Sequence, residues 1–452
     1  MDPSLFDPSL IDSSLINRKV YKNGFRVVHD NSNKHSNIAS IQVFCDVGST
    51  HEPEESRGSA HFIEHMCFKG TDRLKTSADL NKIFVDQTGS ILNAFTDRRY
   101  TCYYVTTHTD NVAICINTLA DMVLNSTFDK TEYKKERDVV KEEAVKDEDD
   151  YELIALTNAD KQIYAGSPYE HTVDELKYHV GKHALKYENI LEIYKTFYVP
   201  SNMILSVCCS HKFKDICKMV EKSDFVKHCK ASAKPHLNLY ITPQSDIVFK
   251  LEKRVTNPTH LCIAFRSCPL TSRDKYVMKL LKTILGEGAK MNNRMFTILR
   301  EDNGLTYSSY AYTDFFEHMG DFKMYAECDS GKLFKNGAKP GVFPLLIGMI
   351  RDLLKHGVTE EEVKTAKTFL ESTQKMKSED SEVVAKYNGK NELFGNLDAP
   401  SYQDKFGRLI KPITKADVDA CIRKYLKKEG MVVSIVSSNP PSERQLRKVI
   451  DI

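Results

Sequence analysis

The sequence predicts an α+β fold of two similar domains, each a mostly antiparallel sheet packed with helices. Three observations lead there. The chain has 452 residues, more than one hydrophobic core usually organises, so at least two domains are expected. A weak repeat runs through the two halves: an apolar strand signal, then a helical segment, and later a charged helix. Segments of alternating polarity lie between them, and alternation favours strands of an antiparallel sheet.

Taken in order, residues 2–16 repeat a short acidic unit: Asp2-Pro3-Ser4-Leu5-Phe6, Asp7-Pro8-Ser9-Leu10-Ile11, Asp12-Ser13-Ser14-Leu15-Ile16. Residues 1–16 are therefore set apart as an acidic N-terminal repeat, expected to be disordered. Ile38–Val47 reads as an apolar strand and Gly58–Phe68 as a helix, with Gly70 as its C′ stop. Thr101–Thr107 alternates like a strand. A charged helix opens Asp129-Lys130-Thr131-Glu132, with Thr131 as N-cap and acidic residues in the first turn. In the second half Leu261–Phe265 is the strand, Lys275–Leu285 the helix and Leu305–Tyr312 the alternating segment. The second charged helix opens Val358-Thr359-Glu360-Glu361, with Thr359 as N-cap. From 222 to 245 two prolines and many polar residues mark a linker. The domains are then 17–221 and 246–452.

Bulk composition excludes several classes. Hydrophobic residues make up 41% and charged residues 28%, the balance of an ordinary globular protein. With 64 basic against 62 acidic residues the net charge is +2, which gives no electrostatic reason for a nucleic-acid partner or an anionic membrane. No apolar run reaches the about 18 residues of a membrane span. Twelve scattered cysteines without CxxC spacing read as buried free thiols in a reducing compartment. The acidic start has no Lys or Arg before Arg18, unlike a secretory or mitochondrial leader, so a cytoplasmic location is expected over the mitochondrial matrix.

The chemistry concentrates in Gly58-Ser59-Ala60-His61-Phe62-Ile63-Glu64-His65-Met66-Cys67-Phe68. On a helix His61 and His65 stand one turn apart on one face with Glu64 beside them. Two imidazoles so placed can grip one Zn²⁺, and the carboxylate can reach a water at the metal. The intervening residues are almost all apolar, which predicts a buried helix. Ionisable groups there need partners or a metal. A third ligand must come from elsewhere, and the helix Thr131–Asp147 offers Glu136, Glu142 and Glu143. Glu136 and Glu143 share a face, whereas Glu142 lies about 100° round from Glu143.

His61-Phe62-Ile63-Glu64-His65 followed by that carboxylate helix resembles the pitrilysin/insulinase family of inverted-motif zinc peptidases. The likeness points towards the β subunit of mitochondrial processing peptidase and bacterial single-chain peptidases. It spans roughly Val20 to Val436 and includes Asn93-Ala94-Phe95-Thr96 with Thr101 and Tyr103–Tyr104, Asn293–Phe296, and Leu299–Ser308 with Arg300 and Tyr307. The resemblance implies one Zn²⁺ per chain, His61 and His65 as ligands and Glu64 as general base. Its Glu-Arg-(five residues)-Glu pattern falls on Glu136, Arg137 and Glu143, making Glu143 the third ligand and Glu136 a support of the metal site. The family's usual loop length would land on Glu142 instead; register within one helix favours Glu143.

By the same resemblance Arg300 and Tyr307 contact substrate and steady the oxyanion, and the strand Asn93, Ala94, Phe95 and Thr96 receives an extended peptide by β-addition. The domains would form one half of a clamshell. The implied activity is zinc-dependent endopeptidase action on extended or unfolded polypeptides. The alternative is a weak or inactive member serving as a structural or peptide-binding subunit. The implied partners are a polypeptide substrate and a second copy of the chain, or a related chain in a heterodimer, with no nucleic acid and no membrane. The second half has no His-x-x-Glu-His. Glu371 matches Glu143 in the repeat without partner histidines, so one active centre per chain is expected.

Overall fold

The computed structural model describes residues 16–173, 175–181, 184–227, 242–287 and 292–450. The acidic repeat up to residue 15 and positions 228–241 of the expected linker lie outside the described residues; the linker's start holds a short helix, Asp224–Lys227.

The strands are β1 (Ile16–Val20), β2 (Arg26–Asp30), β3 (Ile38–Cys45), β4 (Ile91–Thr96), β5 (Thr101–His108), β6 (Met203–Cys208), β7 (Val248–Lys253), β8 (Pro258–Ser267), β9 (Thr306–Tyr312), β10 (Gly320–Asp329), the ribbon pair β11 (Lys335–Asn336) and β12 (Lys339–Pro340), and β13 (Met431–Ser437). One sheet runs β1-β2-β6-β3-β5-β4, the other β7-β13-β8-β10-β9. Without β1 the first order maps strand for strand onto the second. Each sheet holds one parallel pair at the matching place, β2 with β6 and β7 with β13, and is antiparallel elsewhere. The repeat seen in the sequence is thus a repeat of topology.

The chain forms two compact units, each discontinuous in sequence. One takes the described residues up to Val145, those from His171 to Lys227, and Gln374–Lys405. The other takes Lys146–Glu170, the described residues from Thr242 to Thr373, and those from Phe406 to Ile450.

In the first unit Ala39, Ile41, Val43 and Cys45 of β3 point into a core with Phe62, Ile63, Met66 and Cys67 of the motif helix Ser59–Cys67. The other face of the sheet is covered as well, by the helix Ser381–Leu393. Gln42 donates to the Glu382 carbonyl at 2.9 Å and Ser206 to the Ala385 carbonyl at 2.7 Å, so outward polar groups find partners under the helix. Gly389 makes that approach possible: a Cβ there would stand 2.1 Å from the Phe44 ring. A sheet covered on both faces explains the nearly unbroken apolar run of β3.

In the second unit Leu261, Ile263, Phe265, Phe322, Met324, Val433 and Ile435 form the core with the helices Asp274–Gly286, Val342–His356 and Lys415–Tyr425. The helix Tyr151–Ile163 covers the opposite face, where Ala159 and Ile163 meet Cys262, Ala264 and Val432. Lys323 is buried there with Asp160 at 2.6 Å and Asp321 at 2.9 Å.

Two cap expectations separate. Thr359 caps Glu360–Ser378 as a reciprocal box: its hydroxyl accepts from Glu362 N at 3.1 Å, and its N–H donates to Glu362 at 2.7 Å. The first charged helix, Lys130–Asp147, is capped by Asp129 and not by Thr131, because the Asp129 carboxylate accepts from Thr131 N and Glu132 N at 2.8 and 3.1 Å. Gly70 stands two residues past the C-cap Phe68, with φ +123. Among the described residues eleven cysteines are free and buried, and no helix is long and apolar enough to cross a membrane.

Candidate metal centre

The motif helix starts abruptly. Gly58 takes a left-handed conformation at the N-cap, and the buried carboxylate of Glu52 accepts from Gly58 N at 2.8 Å and Ala60 N at 2.6 Å. Glu52 thereby satisfies two backbone donors of the first turn, with its charge at the favourable helix end. Phe62, Ile63, Met66 and Cys67 anchor the apolar side in the core, which turns His61 and His65 to the other side.

The Nε2 atoms of His61 and His65 stand 3.2 Å apart. Glu143 Oε2, from Lys130–Asp147, lies 3.7 Å from the first and 3.4 Å from the second. Bonds of about 2.0–2.1 Å in a tetrahedral zinc site place neighbouring donor atoms about 3.3–3.4 Å apart. The triangle therefore fits one zinc ion with two nitrogens and one carboxylate oxygen. Among the described residues this is the one group of three His, Cys, Asp or Glu side chains able to hold a metal, and Glu142 takes no part in it. Glu143 is 48% exposed against 19% and 16% for the histidines, so the group opens to solvent on its carboxylate side.

Behind it the polarity is tightly matched. His65 Nδ1 meets Glu136 Oε1 at 3.0 Å, and Lys69 Nζ meets Glu136 Oε2 at 2.5 Å. Burial pushes the Glu136 carboxyl up, but hydrogen bonds from His65 and Lys69 and their charge hold it below the usual range. An ionised Glu136 can only accept, so His65 donates its Nδ1–H to it and Nε2 keeps its lone pair towards His61 and Glu143.

Glu64 lies between the two histidines, and Thr96 donates its hydroxyl to Glu64 Oε2 at 2.6 Å. Thr96 ends β4, the last strand of its sheet among the described residues. Leu92 and Ala94 pack on the core side of that strand, while Phe95 lies on the other face beneath Lys386. Asn93 and Tyr104 pair across β4 and β5.

Arg300 and Tyr307 lie in the second unit. The Arg300 guanidinium stacks over the Tyr307 ring at 5.3 Å and donates to its carbonyl at 3.4 Å. Tyr307 is 85% exposed, so its ring is held out to solvent and contributes nothing to the core. Glu371 lies on the helix Glu360–Ser378, the counterpart of the carboxylate helix, with no histidine motif in its unit.

Sequence reasoning missed Glu52, Lys69 and the Thr96 hydroxyl. Lys69 was within reach, since it follows His65 by one helical turn and shares its face. Glu52 acts through the path of a loop, which no periodicity reports.

The chain also resembles known proteins in sequence and in fold. The family model "Insulinase (Peptidase family M16)" matches residues 26–174, and "Peptidase M16 inactive domain" matches 184–370. An uncharacterized zinc protease of Bacillus subtilis is 30% identical over 383 residues, covering 83% of this chain and 88% of its own length. A probable mitochondrial-processing peptidase subunit beta of Arabidopsis thaliana is 25% identical over 425 residues, covering 92% and 77%. A solved protease from Helicobacter pylori superposes with a TM-score of 0.83 at 19% identity, over 93% of this chain and 99% of that one, a likeness of fold.

Proposed function

This chain belongs to the insulinase (M16) family of zinc proteases, and on that premise we propose that it is a zinc-dependent endopeptidase acting on extended or unfolded polypeptides. The observation that carries the reading is the triangle of His61 Nε2, His65 Nε2 and Glu143 Oε2, with Glu64 beside it on the motif helix.

In this reading His61, His65 and Glu143 hold one zinc per chain, the ligand count of a catalytic site. Bound zinc supplies Lewis acidity towards water and the peptide carbonyl. Glu64 is the general base: with Oε2 engaged by Thr96, Oε1 is left to take a proton from water and return it to the leaving amine. Glu136 keeps the His65 proton on Nδ1, and Lys69 balances the charge of Glu136. An extended peptide adds along β4 at Asn93–Thr96, where backbone pairing makes little demand on side chains. Arg300 and Tyr307 are assigned to substrate and to the developing oxyanion, supported by their mutual stacking and exposure. The working partner is a second copy of the chain, or a related one.

The test combines metal content with substrate form. Purified protein should carry about one zinc per chain and cut an unfolded polypeptide. It should lose that activity on chelation and regain it with zinc, and it should spare a compact disulfide-linked protein. Metal-loaded protein that cuts neither substrate would leave the peptide-binding alternative in its place.

A further inference from the structure

The proposed base and the proposed substrate strand meet in one hydrogen bond, from Thr96 Oγ1 to Glu64 Oε2 at 2.6 Å. Hydroxyl-to-carboxylate bonds of this length belong to the strong, charge-assisted class. A threonine hydroxyl has one proton to give. Thr101 Oγ1, its other neighbour, stands farther off at 3.4 Å and sends its own proton to the Val47 carbonyl at 3.0 Å. Glu64 therefore wins the Thr96 proton without a close rival. Thr96 itself is fixed by its pairing with Thr101 in the β4–β5 register, at the end of a strand that has no second strand neighbour among the described residues.

We infer that Thr96 is a positioning residue that aligns Glu64 from the edge strand, so that peptide addition along β4 and placement of the base are mechanically joined. The inference rests on the peptidase reading. Glu64 is only half-buried, and without the hydroxyl its carboxylate is free to occupy other staggered rotamers. With it, Oε2 is occupied and Oε1 is the oxygen presented for proton transfer. A displacement of about 1 Å in a catalytic group can lower a rate about 100-fold. Backbone pairing of substrate with β4 does not use the Thr96 side chain, so the effect falls on turnover and not on binding. A threonine that merely tied strand to helix would instead change stability and leave turnover per zinc-loaded site untouched.

The experiment measures kcat and KM on one extended quenched peptide for zinc-loaded wild type, Thr96→Val and Thr96→Ser, with zinc content and melting temperature alongside. Thr96→Val should lower kcat about 10- to 100-fold, with zinc content unchanged and KM within about twofold. Thr96→Ser, which restores a hydroxyl, should recover most of that loss. Should valine disturb the packing, Thr96→Ala removes the hydroxyl without bulk and must show the same split. Full kcat in the valine and alanine variants, a loss confined to KM, or a serine variant as slow as valine would overturn the inference and leave the peptidase reading standing. A zinc-loaded wild type without hydrolysis would remove both.

Discussion

His65 Nδ1 and Glu136 Oε1 stand 3.0 Å apart, and that contact decides which nitrogen of His65 faces the metal triangle. Glu136 is 6% exposed and shares its second oxygen with Lys69, so it stays ionised in a buried place. Glu136→Gln weakens the tie to Nδ1–H and orphans Lys69. Zinc affinity should fall about 10- to 100-fold, read by competition with a chelator, while the circular dichroism spectrum is kept. Unchanged affinity would mean that the contact does not tune the site.

The third ligand can be separated from its neighbour. Glu143 Oε2 completes the triangle and Glu142 does not. Glu143→Gln should strip most zinc after dialysis against a weak chelator, whereas Glu142→Gln should retain it. Metal analysis of the two variants side by side reads the result, and the reverse order would contradict the assignment.

Lys323 is a test of stability. Its ammonium is buried among Asp160, Asp321 and Asp314, and Tyr164 donates to Asp321 at 2.7 Å. Burial raises the Asp321 carboxyl to about 7, against the pull of Lys323. Lys323→Met takes the buried cation away from Asp160 and Asp321 and should cost about 3–5 kcal/mol. Removing the cation raises the Asp321 carboxyl further, since Lys323 pulls it down. A carboxyl with a raised folded-state pKa contributes stability at low pH and loses it as pH rises through that value. The deficit of the variant should therefore narrow between pH 8 and pH 5.5, as thermal melts would show. A deficit that widens on acidification would contradict the account.

Gly389 tests the packing of the covering helix. An added Cβ would lie 2.1 Å from the Phe44 ring, so Gly389→Ala should destabilise by about 1–3 kcal/mol. Phe44→Leu in the same chain should relieve part of that loss, and additive losses in the double variant would argue against direct contact.

The sequence was legible where an element's own pattern determines its environment. Alternation located β5 and β9, the apolar run located β3, and the spacing of His61 and His65 described a helix face that the structure reproduces. Thr131 failed as a cap because the helix already begins at Lys130: the Asp129 carboxylate accepts from Thr131 N and Glu132 N and so places Thr131 inside the first turn, a choice that propensity alone does not make. The exchange of Tyr151–Ile163 and Ser381–Leu393 between units was not legible. Amphipathicity says that such a helix buries a face, but not which sheet receives it. Glu52 acts through the path of a loop and the Thr96 hydroxyl through tertiary approach, so neither spacing nor composition carries a trace of them.

The central claim is zinc-dependent peptide hydrolysis with Glu64 as its base. The measurement that meets it most directly is turnover of a quenched peptide library by wild type and Glu64→Gln, each loaded to the same zinc content. The account predicts that both bind about one zinc and keep the same fold, while the variant loses at least about 100-fold in turnover. Equal turnover by the two proteins, or none by a fully zinc-loaded wild type, would contradict it.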